Sequence, residues 1–256
     1  QYNGGSTLIT EAYLEADMTN GSDLEDIDAA EELAPQLLEV SNRLGTEIDY
    51  AALSKKFSSD VLDVMVMPYY YGEDTIGVHI VARGGGVANG FLVSTLETYL
   101  NSEDVHYLDN SSAIVSSAYS TKIDVTYAIK KLRGFLFKDY SDLSKMAIFL
   151  LLCENYKEYR NLLKKSGAQA VAIALNKKID LSLNLNKASE LIPVFNFIDR
   201  KKTKVWGPKI EVVDLITVVN QLVGISELNL ITPTVDNQVD WDRVSAAGII
   251  TCSEII

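Results

Sequence analysis

The tightest constraint in this sequence is a pair of alternating runs, VLDVMVMPYYY and TIGVHIVAR (Thr75 to Arg83), joined by the turn YGED. Alternation at Leu62, Val64 and Val66, stopping at Pro68, reads as a half-buried strand, because successive side chains leave a strand on opposite faces. A short glycine-bearing turn between two such strands reads as a hairpin. The segment VANGFLVSTLETYLNSED then reads as an amphipathic helix with Phe91, Leu92, Leu96, Tyr99 and Leu100 inward. One long extended stretch follows, Ser112 to Lys131, whose second half alternates at Ile123, Val125, Tyr127 and Ile129. The order β-β-α-β implies an α+β fold, with small mixed sheets packed against helices.

Upstream of the hairpin the grammar is helical. Ser22 with Glu25 forms a capping box that opens a helix carrying Leu24, Ile27, Leu33, Leu37, Val40 and Leu44 on one face, and Pro35 must kink or split it. Gly45 reads as a left-handed C-terminal stop. Thr46 caps the next helix, Asp49 returns a bond to the backbone, and Tyr50, Leu53 and Phe57 supply its buried face.

Downstream of Leu132 the pattern turns helical. Ser141 to Lys165 reads as one helix, and AQAVAIALNKKI continues or follows it beyond Gly167. LIPVFNFIDRK is open between strand and loop, and Ile210 to Gly224 reads as a helix ending at Gly224. SELNLITP and RVSAAGIITCSEII read as closing strands. These elements divide into an N-terminal segment with helices (1–57), a β-β-α-β domain (58–118) and a C-terminal α+β domain (119–256). The last carries an inserted helical segment at about 134–209. The result is two domains plus an insertion.

A net charge of −12 excludes a nonspecific grip on nucleic acid or on an anionic membrane surface. The basic run from Arg200 to Lys209 reads as a solvated loop. Cys153 and Cys252 follow no metal or redox spacing, which fits a cytosolic origin, and MAIFLLLC (Met146 to Cys153) falls short of the ~18 residues of a membrane span. The chain opens on Gln1 with no basic-then-apolar leader, which reads as a fragment or processed product.

Several motifs invite chemistry and fail on spacing. Gly84, Gly85 and Gly86 lie between a strand and a helix, where a phosphate cradle would sit. They lack GxGxxG, and no lysine–hydroxyl pair follows, so a flexible loop is the better reading. His79 and His106 have no paired-ligand spacing, and there is no GxSxG elbow. The acidic pairs Glu73–Asp74, Glu103–Asp104 and Asp240–Asp242 are common turn features. The expected catalytic, cofactor-binding and metal residues are therefore none. Tyr69, Tyr70 and Tyr71 run consecutively at a strand end, so at least one must face away from the core, and exposed tyrosine favours interfaces.

In order, LAPQLLEVSNRLGTEIDYAALSKKF, VLDVMVMPYYYGEDTIGVHIV, LVSTLETYLNS, VSSAYSTKIDVTYAI and VVDLITVVNQLVGISELNLITPTVDNQV resemble the baseplate J-like family. These are wedge or assembly proteins of contractile-tailed phages and related injection machines. Gly45, Thr46, Asp49 and Tyr50 resemble its helix-start motif, and Tyr70, Tyr71, Gly72 and Gly77 its turn-and-strand motif. The resemblance implies a virion structural protein of the tail baseplate, assembled in the host cytoplasm. It further implies a homo-oligomer that meets other baseplate wedge and tail proteins, with no catalytic residue and no cofactor. Gly45, Thr46, Asp49, Tyr50, Tyr69, Tyr70, Tyr71 and Gly72 are the candidate structural or interface residues. The chain departs from the family between Arg133 and Ile210, where the helical insertion would decorate an outer face. A second reading, from another class, is a nucleotide- or phosphate-binding α/β enzyme using the Gly84–Gly86 loop.

Overall fold

The computed structural model describes residues 44–105, 111–201, 209–234, 236–238 and 243–255. The helix expected from Ser22, its Pro35 kink, His106, most of the basic run and Asp240–Asp242 lie outside the described residues. The fold is α+β. Its elements are α1 (Glu47–Phe57), β1 (Val61–Pro68), β2 (Thr75–Ala82), α2 (Gly90–Leu100), β3 (Ser112–Ser117) and β4 (Tyr119–Lys131). There follow α3 (Phe137–Leu152), α4 (Tyr156–Lys178), a 3-10 helix (Leu185–Leu191), α5 (Ile192–Lys201), β5 (Lys209–Ile210) and α6 (Val212–Val219). The last strands are β6 (Ile225–Thr232), β7 (Asn237–Gln238) and β8 (Arg243–Glu254).

The first sheet has the order β1-β2-β3. β1 and β2 form the expected antiparallel hairpin, and β3 joins β2 in parallel, with α2 as the crossover a parallel pair requires. Tyr50, Leu53, Val78, Ile80, Leu96 and Leu100 fill the space between this sheet and its two helices. Two details differ from the sequence pattern. A register shift between Val61 and Asp63 brings Val61, not Leu62, to the buried side with Val64 and Val66. Leu62 packs instead with Met65 against Val81 and Val244. Such a bulge adds one residue to one strand and reverses the alternation beyond it. Phe91, expected inward, is 66% exposed, because only Leu96 and Leu100 of α2 reach full burial.

The stretch Ser112 to Lys131, expected as one extended run, is two strands in two sheets. Ala118 breaks it, donating its N–H to the Ile80 carbonyl at 2.8 Å before the chain enters β4. β4 is the centre of the second sheet, order β6-β4-β8, antiparallel to β6 and parallel to β8. The alternating Ile123, Val125, Tyr127 and Ile129 are all buried on its helix-covered face.

Against that face lies α3, buried from Tyr140 to Leu152 except at Lys145, with Ser141, Asp142 and Ser144 drawn in among its apolar residues. The helix expected over Ser141–Lys165 is therefore two helices, parted at Cys153–Asn155. Nor does the helical region decorate an outer face: α3, α4 and α5 supply Leu150, Leu175, Phe195 and Ile198 to the core around β4. LIPVFNFIDRK, left open between strand and loop, forms α5 and buries Val194, Phe195 and Ile198 at helical spacing. Pro193 sits in its first turn, where no N–H is needed. α6 stops at Val219, with Asn220 as its cap, short of the expected end at Gly224.

Candidate functional site

Gly45, Thr46, Asp49 and Tyr50 form a helix start. The Thr46 hydroxyl accepts from the Asp49 N–H at 3.3 Å, and one Asp49 carboxylate oxygen accepts from the Thr46 and Gly45 N–H groups at 2.7 and 3.0 Å. This reciprocal box satisfies amides that the first helical turn leaves orphaned. Gly45 does not take the left-handed conformation expected of a C-terminal stop; its task is that bond to Asp49. Tyr50 is 2% exposed, and burial pushes its phenol up, with the Ser111 hydroxyl pulling partly back.

The tyrosine run divides by residue. Tyr69, in a left-handed conformation (φ 61°), is 72% exposed, while Tyr70 and Tyr71 are 38% and 41% exposed. Tyr70 stands edge-on to both Tyr71 and His79, with ring centroids 4.9 and 4.7 Å apart. The Tyr71 hydroxyl donates to Ser116 Oγ at 3.2 Å, and Ser116 Oγ lies 2.8 Å from His79 Nδ1. His79 is fully buried, with aromatic rings and the Ser116 hydroxyl among its neighbours. Among the described residues, no three His, Cys, Asp or Glu side chains converge as a metal site.

Gly77 explains the rest of this turn. A Cβ there would stand 3.0 Å from Tyr70 Cβ and 3.3 Å from His79 Nε2. Only the bare backbone lets Tyr70 fold across the hairpin onto the histidine. The motif is thus a packing device that leaves Tyr69 in solvent. Beside it lies a cavity of about 630 Å³, lined by Gly45, Thr46, Tyr50, Tyr69 and Asp74 among others. The helix start and the tyrosine turn, separate in sequence, therefore meet at one concave surface. No spacing rule in the sequence foretold that meeting, which depends on how α1 crosses the hairpin.

The triple glycine has a different fate from the expected flexible loop. Gly84, Gly85 and Gly86 all have positive φ (84°, 70° and 85°), a conformation that glycine takes without a side-chain penalty. Gly84 N–H donates to the Glu158 carboxylate and Gly86 N–H to the Glu154 carboxylate. Lys178 Nζ donates to the Gly84 carbonyl at 3.4 Å. A straight α4 would hold Glu158 and Lys178 about 30 Å apart. Both reach Gly84 because α4 folds back at Gly167, whose φ and ψ are 80° and 177°.

No family model matches the chain, and no curated protein matches it. Among solved structures, it is similar to a chain in the cryo-EM structure of the anti-feeding prophage baseplate, 6-fold symmetrised. The identity is 12% and the TM-score 0.48. The likeness covers 86% of this chain and 41% of that one, so this chain spans less than half the length of its neighbour.

Proposed function

We propose that the chain is a structural component of a contractile tail baseplate, a wedge or assembly protein of the baseplate J-like kind. It works by docking to copies of itself and to other tail proteins. One observation carries this: the motif residues through which the sequence resembles that family have backbone and packing tasks, and the most exposed ring of the adjoining tyrosine run is Tyr69. Thr46 and Asp49 cap the start of a helix, Gly77 admits Tyr70, and Tyr69 stands on the rim of the adjoining cavity. A large, stiff, amphipathic ring at such a rim suits a docking surface.

In this reading the chain has two units, 58–118 and 119–256, with 134–209 inserted in the second. Stable contacts of the proposed kind bury about 1,200–2,000 Å². The net charge of −12 keeps free subunits soluble and selects cationic partner surfaces. The assembled protein resides in the virion tail. The phosphate-binding alternative loses its main support, because the amides of Gly84 and Gly86 already serve two carboxylates. A phosphate there would meet two negative charges.

Light scattering coupled to gel filtration, with a search for the chain in purified tail particles, tests the proposal. Self-association or a stable complex with a tail protein is the expected result. A chain that stays monomeric at high concentration and is absent from particles refutes it. Saturable thermal stabilisation by nucleotides, lost on Gly85→Val, would restore the phosphate-binding alternative.

A further inference from the structure

We propose that the Gly84–Gly86 turn is an oxyanion socket whose resident ligands are the chain's own Glu154 and Glu158. By holding them it locks the first sheet to the helical corner between α3 and α4. The turn carries three consecutive positive-φ glycines, and backbone N–H groups freed by such turns can hold anions. Two of its amides are so used, Gly84 N–H by the Glu158 carboxylate and Gly86 N–H by the Glu154 carboxylate, while Gly85 N–H bonds back to the Ala82 carbonyl at 3.1 Å. Asn155 Nδ2 donates to the other Glu158 oxygen at 3.0 Å, so that carboxylate is held from both sides. Lys178 closes the ring from the far end of α4 through the Gly84 carbonyl. Side chains are kept out as well, since a Cβ on Gly85 would stand 3.0 Å from Glu154 Oε1 and 3.3 Å from Asn155 Cγ.

The location gives the contact its consequence. Between the two main cores lie the chain crossing at Ala118 and a small apolar cluster in which Val81 meets Val244. Neither fixes the glycine turn itself. The carboxylates reach it from a corner that is otherwise part of the second core, where Cys153 and Tyr156 are buried. The socket therefore ties the end of β2, the central strand of the first sheet, to the α3–α4 corner of the second core. The ligand class is a carboxylate or a similar small oxyanion, and the tie is intramolecular.

Amide hydrogen exchange on the full chain tests this, whatever the composition of tail particles. In Glu154→Gln/Glu158→Gln, which keeps side-chain shape and removes charge, the Gly84 and Gly86 amides should exchange about tenfold faster, with β4 amides unchanged. In Glu154→Ala/Glu158→Ala the acceleration should reach about 100-fold. About 0.1 M acetate or phosphate should then restore protection, whereas chloride at matched ionic strength should not. Rescue by acetate identifies a carboxylate socket, and rescue by phosphate alone a more general oxyanion site; either supports the proposal. Unchanged exchange in the Gln variant, equal rescue by chloride, or no rescue by any anion would overturn it.

Discussion

The two cores of this molecule are held by different physics. Around the first sheet, order comes from local backbone devices: a reciprocal cap at Thr46 and Asp49, a bare Gly77 under Tyr70, and three left-handed glycines. Around the second, order comes from apolar mass, with α3 buried along nearly its whole length against β4. Its polar groups are drawn into that mass with their own partners. Tyr127 shares a hydrogen bond with Ser144 at 2.7 Å, and Tyr140 donates to Glu190 at 2.6 Å. Tyr156 donates to Asp199 at 2.8 Å, and Asp199 pairs in turn with Arg160 at 2.6 Å. Both regions leave large apolar side chains in solvent, Tyr69 in the first and Val223 and Ile249 in the second. What differs is the buried part: the first adds backbone devices to a smaller apolar core, and the second rests on a larger one.

High pH should separate the two regions most. Burial first, then neighbouring carboxylates, raises the phenols of Tyr140 and Tyr156; burial raises Tyr127 well above its ordinary value and Tyr159 to about 12. These phenols stay protonated in the fold while their unfolded counterparts ionise near 10, so the unfolded state binds fewer protons there and stability must fall with pH. Their contribution is intact below pH 10 and is lost as pH rises toward the folded values. Each such phenol removes about 1.4 kcal/mol per pH unit above that point. Alkaline unfolding followed by hydrogen exchange should therefore begin in β4, α3 and α4. Around the first sheet, Tyr50 and Tyr99 are raised chiefly by burial, and only Tyr50 is as deeply enclosed. Onset in β1 and β2 instead would break the contrast.

Next in size is Phe195→Ala. Phe195 is 1% exposed and packs on Tyr156 with ring centroids 5.6 Å apart. Emptying it should cost about 3–5 kcal/mol. A denaturant titration should show that loss as a lower midpoint, with exchange accelerated in β4 and α5 before β2.

The contrast also explains what was legible in the sequence. The hairpin, the capping box and the alternating half of β4 declare themselves through spacings of two to four residues, which short-range sterics fix. The bulge at Leu62 and the break at Ala118 do not, because each is decided by pairing with a strand elsewhere. α5 was obscured by its Pro193 and its aromatic and β-branched residues, and burial of Phe195 and Ile198 outweighs their weak helix propensity. The convergence of Thr46 and Tyr69 on one cavity and the pairing of Gly84 with Glu158 join residues far apart in the chain. No single-sequence pattern encodes such meetings.

Smaller effects probe the first region. Thr46→Ala removes the hydroxyl that accepts from Asp49 N–H and should cost about 0.5–2 kcal/mol, read as a lower melting temperature. Gly77→Ala forces its new methyl toward Tyr70 Cβ and should cost about 1–3 kcal/mol. Near-UV circular dichroism should change as Tyr70 leaves its edge-on place against His79.

Tyr69→Ala is the smallest of these in the isolated chain and the most informative. Tyr69 is 72% exposed, and removing an exposed side chain should alter stability by no more than about 0.5 kcal/mol. If this turn docks a partner, the same substitution should weaken self-association or tail-protein binding by about tenfold or more, as loss of an aromatic anchor does. Sedimentation of wild type and variant across a concentration series reads association, and a thermal melt of the same samples reads stability. A shifted association constant with an unchanged melting temperature places the docking surface on the backbone-built region. An unchanged association constant removes Tyr69 from the interface and moves the search for contacts to the exposed Tyr119, whose ring lies 6.3 Å from that of His79.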